Sequence, residues 1–495
     1  MNPLKKLAGQ TAIYGLSSII GRLLNYLLVP IYTRVFMPSE FGVMSELYAY
    51  ISFLNVFLTY GMETSFFRHY EMSENKHKIF STSFISLLVS SIIFICIIYY
   101  YSAPIAGLIR YSNHVEYIVW LALIVALDAV ATIPFAKLRA DNRPKFFAGI
   151  KLINIGFNIG FNLFFLIICP YILKTEGQLK VLKPFIDYVY NSNIGVGYVF
   201  ISNLIASVLT FILLLPMTFK IKLDFDKKIW KEMMIYALPL LVAGLAGIVN
   251  ETIDRILLKF LLPEGVSMAQ VGIYSACYKI SLFITIFIQA FRFAADPFFF
   301  SQAKNKDAKA IYASVMNYFV ITCLSIFLVI MLYIDIVKHF VGTDYYEGLK
   351  VVPILLMANV FLGVFYNLSI WYKLSGKTIY GAYLSIFGAV ITLIMNFLWI
   401  PVWGYIGAAW ATLICYFAMM IASYIVGQKH YNVNYNVRKS SVYFLLALGL
   451  YFVSLLVEPF VANYKLFVNT LFLGIFFYTI YKIEKKNIRL HPSEQ

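Results

Sequence analysis

Long apolar runs recur from one end of this 495-residue chain to the other, and they constrain the fold more than any other feature. A helix crosses the hydrocarbon core of a bilayer with ~20 consecutive apolar residues. Such runs lie at about 8–36, 42–67, 79–101, 115–136, 146–169, 195–219, 233–258, 271–293, 311–333, 351–372, 379–400, 404–427, 440–457 and 465–481. A barrel strand needs only ~9–11 residues and alternates strictly, so these runs predict helices. The chain is 61% hydrophobic and 13% charged, against ~45–50% and ~25% in soluble proteins. That leaves no room for a large soluble domain. The expectation is an all-α polytopic membrane protein with fourteen transmembrane helices. The first run follows Lys5 and Lys6, contains Arg22 and Asn25, and offers no small-residue cleavage site. It reads as span 1, not as a signal peptide.

The net charge of +16 would suggest nucleic acid as a partner in a soluble chain. Here the charges sit in short loops, where they set topology, and no nucleic-acid partner is expected. The N-terminal segment, every second loop and the C-terminal segment hold nearly three times as many Lys and Arg as the alternate loops. By the positive-inside rule both termini are then cytoplasmic. The tail Lys482, Lys485, Lys486 and Arg489 suits anionic membrane lipids. Cys96, Cys169, Cys277, Cys323 and Cys415 lie in or at the ends of apolar runs without metal-type spacing. They read as buried, inert thiols, and neither metal nor cofactor is expected.

An internal repeat organises the spans. Glu40-Phe41-Gly42-Val43-Met44-Ser45 opens span 2, and Gln270-Val271-Gly272-Ile273-Tyr274-Ser275 opens span 8. Lys137-Leu138-Arg139-Ala140 matches Lys373-Leu374-Ser375-Gly376 after spans 4 and 10, and Asn162 parallels Asn396 before Pro170 and Pro401. Three matches in one order at nearly one offset imply a six-helix repeat. Six is even, so the copies run in parallel, related by an axis along the membrane normal. The expected organisation is an N-terminal lobe (1–220, spans 1–6), a C-terminal lobe (221–430, spans 7–12), and spans 13–14 with a basic tail (431–495). Two pseudo-symmetric six-helix lobes flanking a cleft suit a transporter working by alternating access.

The span count, the repeat and the segment Thr33-Arg34-Val35-Phe36-Met37-Pro38-Ser39-Glu40-Phe41-Gly42 resemble the bacterial polysaccharide (O-antigen type) flippases of the multidrug/oligosaccharidyl-lipid/polysaccharide exporter superfamily. Asp254-Arg255 and Gly404-Tyr405-Ile406-Gly407-Ala408-Ala409 are similar to that group as well. The resemblance implies translocation of undecaprenyl-pyrophosphate-linked oligosaccharide across the cytoplasmic (inner) membrane, as in O-antigen and lipopolysaccharide biosynthesis. It also implies coupling to H+ or a monovalent cation.

Ionised groups at the centre of a span cost ~2.5–3.5 kcal/mol on insertion scales, so each needs a reason. Arg22 and Asp128 fall near the midplane of spans 1 and 4; they pair with each other, or one faces the cleft. In span 5, Lys151, Asn154, Asn158 and Asn162 recur at spacings of three, four and four, forming one polar stripe. We read it as a wet cavity wall suited to sugar and phosphate, the alternative being interhelical hydrogen bonds. Gly156 and Gly160 on the opposite side would admit a close helix neighbour. In span 7, Glu251 and Arg255 stand at i,i+4 in the favourable order. Asp254 is then either free for a coupling ion or bonded to a neighbouring span. Pro239 should kink that helix. Lys279 is a further cavity candidate in span 8. Glu63, Arg292 and Glu46 sit near span ends, where snorkelling suffices. Five cations against five anions give no positive cleft by count alone.

Catalytic signals are thin. All six histidines lie outside the apolar runs, and Gly376-Lys377-Thr378 lacks the first glycine of a phosphate loop, position 371 being Trp. The chain is therefore read as a transporter, not an enzyme. A multidrug or metabolite exporter on the same scaffold is one alternative. A membrane oligosaccharide polymerase is another, disfavoured by an outer loop 170–194 with three lysines but no Arg or His.

Overall fold

The computed structural model describes residues 19–21, 23–174, 181–219, 224–303, 305–461 and 464–490. Every regular element among them is helical. Thirteen helices are long and apolar enough to cross a membrane: α2 (Pro38–Met72), α3 (Lys76–Tyr100), α4 (Val115–Ala140), α5 (Pro144–Lys174), α6 (Gly197–Thr218), α7 (Lys227–Leu261), α8 (Glu264–Gln302), α9 (Ala308–Leu332), α10 (Thr343–Leu374), α11 (Ile379–Trp403), α12 (Tyr405–His430), α13 (Val437–Phe460) and α14 (Lys465–Lys485). They fall on spans 2–14 in order. Span 1 is represented by α1 (Val29–Val35), and Arg22 lies outside the described residues. Outward faces carry bare aliphatic and aromatic side chains such as Leu445, Leu456 and Phe467. Lipid accepts such surfaces, whereas water would not.

Local chemistry sets the breaks. Pro38 opens α2, where Glu40 accepts the Met37 N–H at 2.9 Å. Tyr60 and Gly61, both with positive φ, then divide it into Pro38–Thr59 and Met62–Met72. Asp226 caps α7 by accepting from Lys228 and Ile229. That helix runs through Pro239 without interruption. In α5 a π-turn, Phe164–Ile168, precedes Cys169–Pro170. Pro170 has no N–H for the preceding turn, and a widened turn accommodates the loss. Spans 11 and 12, separated in sequence only by Pro401–Trp403, part at Gly404, whose φ of +56° reverses the chain.

The chain forms two compact units, residues 1–275 with 385–408, and residues 276–384 with 409–495. In the first, α4 is buried over most of its length between α3 and α6. A core of Phe66, Phe80, Phe84, Ile133 and Met233 joins α2, α3, α4 and α7. In the second, α9 packs on α10, α13 and α14. Glu484 of α14 accepts from Lys439 at 2.7 Å, Asn317 at 2.8 Å and Tyr443. At the far end Lys465 bridges Asp335 and Glu458. The last helix pair is thus tied down by charge at both ends. Four cysteines are buried as expected, but Cys96 is exposed on α3: an apolar run places a thiol in the membrane without saying which face it takes.

Candidate functional site

The polar stripe of α5 does not present one uniform face. Lys151 is exposed, its ammonium resting 4.3 Å from the centre of the Phe135 ring, with Asp128, Glu63 and Arg139 as its charged neighbours. Asn154 instead donates to Thr210 Oγ1 at 2.8 Å and to the Ala206 carbonyl at 3.1 Å, both on α6. Asn162 is 1% exposed. It accepts from the Tyr32 hydroxyl of α1 at 2.9 Å and donates back to the Asn158 carbonyl and Oδ1. Two of the three amides expected along a wet wall are therefore spent on joining helices, because an amide inside an apolar bundle finds the nearest acceptor. Lys151 is exposed and Asn154 and Asn158 are both half-buried, but of these two amides only Asn154 is bonded to another helix among the described residues. Asp128 is half-buried and accepts from Ser207 of α6 at 2.9 Å.

The far side of α5 also departs from expectation. A methyl group at Gly156 or Gly160 would meet no atom within 4 Å. Both glycines line an open groove of about 660 Å³ with Phe157, Phe161, Phe165 and Phe185. Small-residue spacing marked a face but not its occupant.

On α7 the pairing is Asp254 with Arg255, not Glu251 with Arg255. The guanidinium reaches Asp254 Oδ1 at 2.8 Å and the Glu251 backbone carbonyl at 2.7 Å. The Tyr274 hydroxyl of α8 donates to the other Asp254 oxygen. Asp254 and Arg255 are buried, and the Glu251 side chain is exposed. Asp254 is accordingly committed to a neighbouring span in this conformation, and the Glu251 carboxylate is the more accessible acid. Lys279 lies in the second unit, half-buried within α8.

One charged cluster was missed. Lys259, a residue beyond the apolar run of span 7, is 3% exposed and pairs at 2.8 Å with Glu46 of α2, which is fully buried. Tyr111 donates to the same Glu46 oxygen. The Lys259 ammonium also donates to the Ile109 carbonyl at 2.6 Å and lies 3.5 Å from the centre of the Tyr111 ring. Arg110 donates to the Lys259 carbonyl at 3.3 Å. A lysine four residues after Arg255 on the same helix face was the available signal.

Beside this cluster the two repeat motifs meet. A side chain at Gly42 would collide with the Met268 carbonyl oxygen, and one at Gly272 with the Pro38 carbonyl oxygen. The nitrogen of each glycine lies 3.0–3.2 Å from where the other's Cβ would be. Gln270 accepts from the Tyr405 N–H at 3.1 Å and fills the space over Gly404. Another repeat match behaves in parallel: Asn396, like Asn162, donates to the carbonyl four residues earlier.

Two family models, each described as polysaccharide biosynthesis protein, match residues 31–173 and 188–302. No curated protein matches the sequence. Among solved structures, a lipid II flippase, MurJ, in an inward closed conformation is similar with a TM-score of 0.70 at 14% identity, over 95% of this chain and 98% of its own. An inward-facing multidrug resistance MATE family transporter of the MOP superfamily gives 0.66 at 14% identity, over 84% and 97%. A Vibrio cholerae MATE transporter gives 0.56 at 13% identity, over 86% and 95%.

Proposed function

We propose that the chain is a polysaccharide flippase of the multidrug/oligosaccharidyl-lipid/polysaccharide superfamily, and that it moves undecaprenyl-pyrophosphate-linked oligosaccharide from the cytoplasmic to the outer leaflet of the bacterial inner membrane. The observation that carries the reading is the pair of polysaccharide biosynthesis matches, which run from within α1 to the end of α8 on a fold shared with a lipid II flippase. Coverage supports it over the drug-exporter alternative. The likeness to the lipid II flippase leaves only 5% of the chain unmatched, while α13 and α14 hold about a tenth of it. That likeness must therefore extend into the last helix pair.

The lobes 1–220 and 221–430 rock about the bound headgroup, with both termini cytoplasmic. On this reading the Glu46–Lys259 pair and the Gly42–Gly272 contact, both within the first unit, seal the outer end. Closure at that end is what a carrier open to the cytoplasm requires. Arg22, Lys151 and Asn158 receive pyrophosphate and sugar in the N-terminal lobe, with Asp128 holding the lysine's field in balance. Lys279 is a separate contact on α8. A proton or monovalent cation at Glu251, exchanging with the Asp254–Arg255 pair, resets the carrier.

Deletion in the native host tests this reading. Lipid-linked repeat units should accumulate in the cytoplasmic leaflet. Units that still reach the outer leaflet but fail to lengthen would identify a polymerase instead.

A further inference from the structure

At the lysine-rich end of the first unit, a cavity of about 430 Å³ opens where α2, α4 and α6 finish and α3 and α5 begin. Its rim carries Lys76, His77, Lys137 and Arg143; Phe80, Phe146, Pro216 and Met217 supply apolar walls. The single acid in the lining, Asp141, is already occupied. Lys137 donates to its Oδ2 at 2.6 Å and Tyr70 to its Oδ1 at 2.7 Å, and Lys137 also donates to the Tyr70 hydroxyl at 3.1 Å. That triad fixes Lys137 at the cavity wall. Lys76 lies 5.1 Å from the centre of the Tyr70 ring, and Lys76 and Arg143 are exposed. Among the described residues neither makes an ion pair. The cavity thus has surplus positive charge beside an apolar wall, at the level where spanning helices meet water.

That combination matches one ligand chemistry. A phosphate needs several converging donors, and Lys76, Arg143 and the remaining Lys137 N–H supply them. A water-soluble anion would leave the phenyl and thioether wall unused, whereas a lipid's first methylenes cover it. We propose that this cavity binds the phosphate of a membrane lipid, apart from the transport site around Lys151. Two lipids carry the chemistry: a bulk anionic phospholipid, and the polyprenyl pyrophosphate that bears the transported glycan.

The test uses the full-length protein in detergent, titrated separately with phosphatidylglycerol, undecaprenyl pyrophosphate and phosphatidylcholine, with binding read by native mass spectrometry. The Lys76→Gln/Arg143→Gln variant is compared with wild type and with Lys231→Gln, a lysine of the same end outside the cavity. Each lost cation should weaken binding of an anionic lipid about fivefold, with phosphatidylcholine and Lys231→Gln unchanged. Weakening confined to phosphatidylglycerol identifies the bulk lipid as ligand, and weakening confined to undecaprenyl pyrophosphate identifies the carrier. Wild-type affinity of the double variant for both anionic lipids overturns the proposal. A Phe146→Ser variant, which keeps every charge, should also weaken lipid binding; unchanged binding there overturns the apolar half of the argument. These readouts do not depend on flipping, so they can fail while the transport reading stands.

Discussion

The ammonium of Lys259 lies 2.8 Å from the Glu46 carboxylate, and water reaches neither group. Their residues come from α7 and α2, more than two hundred positions apart, and Tyr111 and the Ile109 carbonyl complete the coordination. Removing one partner of a buried pair strands the other in a low-dielectric setting, at a cost of ~3–5 kcal/mol. Lys259→Ala should therefore lower the thermal stability of the detergent-solubilised protein markedly. Glu46→Leu combined with Lys259→Met should recover most of the loss, since neither charge is then left alone. A double variant no more stable than Lys259→Ala would contradict this account.

Gly42→Ala and Gly272→Ala place a methyl group against a backbone carbonyl that no rotamer change can move. Overpacking of this kind costs ~1–3 kcal/mol, a factor of roughly 5 to 150 in the population of the closed arrangement. Ser275 is 1% exposed beside the contact. A Ser275→Cys reporter in a Cys96→Ala background should alkylate faster when either alanine is present. Equal rates would show that the contact is not a closure.

Lys151→Gln separates substrate contact from helix adhesion. Among the described residues the ammonium rests on an aromatic face and makes no ion pair, so folding should survive. Initial flipping rates in proteoliposomes should fall by about tenfold, the worth of one charge-assisted hydrogen bond of ~1.5 kcal/mol. Asn154→Ala should do the opposite, leaving rates nearly intact while removing an interhelical bond worth ~0.6 kcal/mol.

Asp335, between α9 and α10, is held below the ordinary carboxylate range. Hydrogen bonds from Lys338 and then Lys465 lower it, outweighing its partial burial. A depressed folded value gives stabilisation that is present above the unfolded value of ~3.9 and is lost as pH falls through the folded one. Hydrogen exchange at residues 334–342 and at the start of α14 should therefore speed up below about pH 4. Asp335→Asn should exchange fast at neutral pH and lose that acid dependence.

The helices could be read from the chain because an apolar run of twenty residues has few other outcomes. Partners could not. A hydropathy window stops at Lys259, since a lysine counts against the membrane, yet the folded helix runs two residues beyond it, and Glu46 neutralises it there. The spacing of Asn154, Asn158 and Asn162 puts them one turn apart along α5. What they meet depends on Tyr32 and Thr210, which no local pattern connects to them. Charge order favoured Glu251 for Arg255, but the tertiary position of Tyr274 fixed Asp254 as the partner. The repeat motifs around Gly42 and Gly272 pointed to symmetry, and their direct encounter emerged only with the fold.

That encounter is made of main chain on both sides. Its fit does not depend on the side chains that flank it, so neighbouring positions can be exchanged while the two helices keep their close approach. A joint of this kind can hold while the sequence around it drifts.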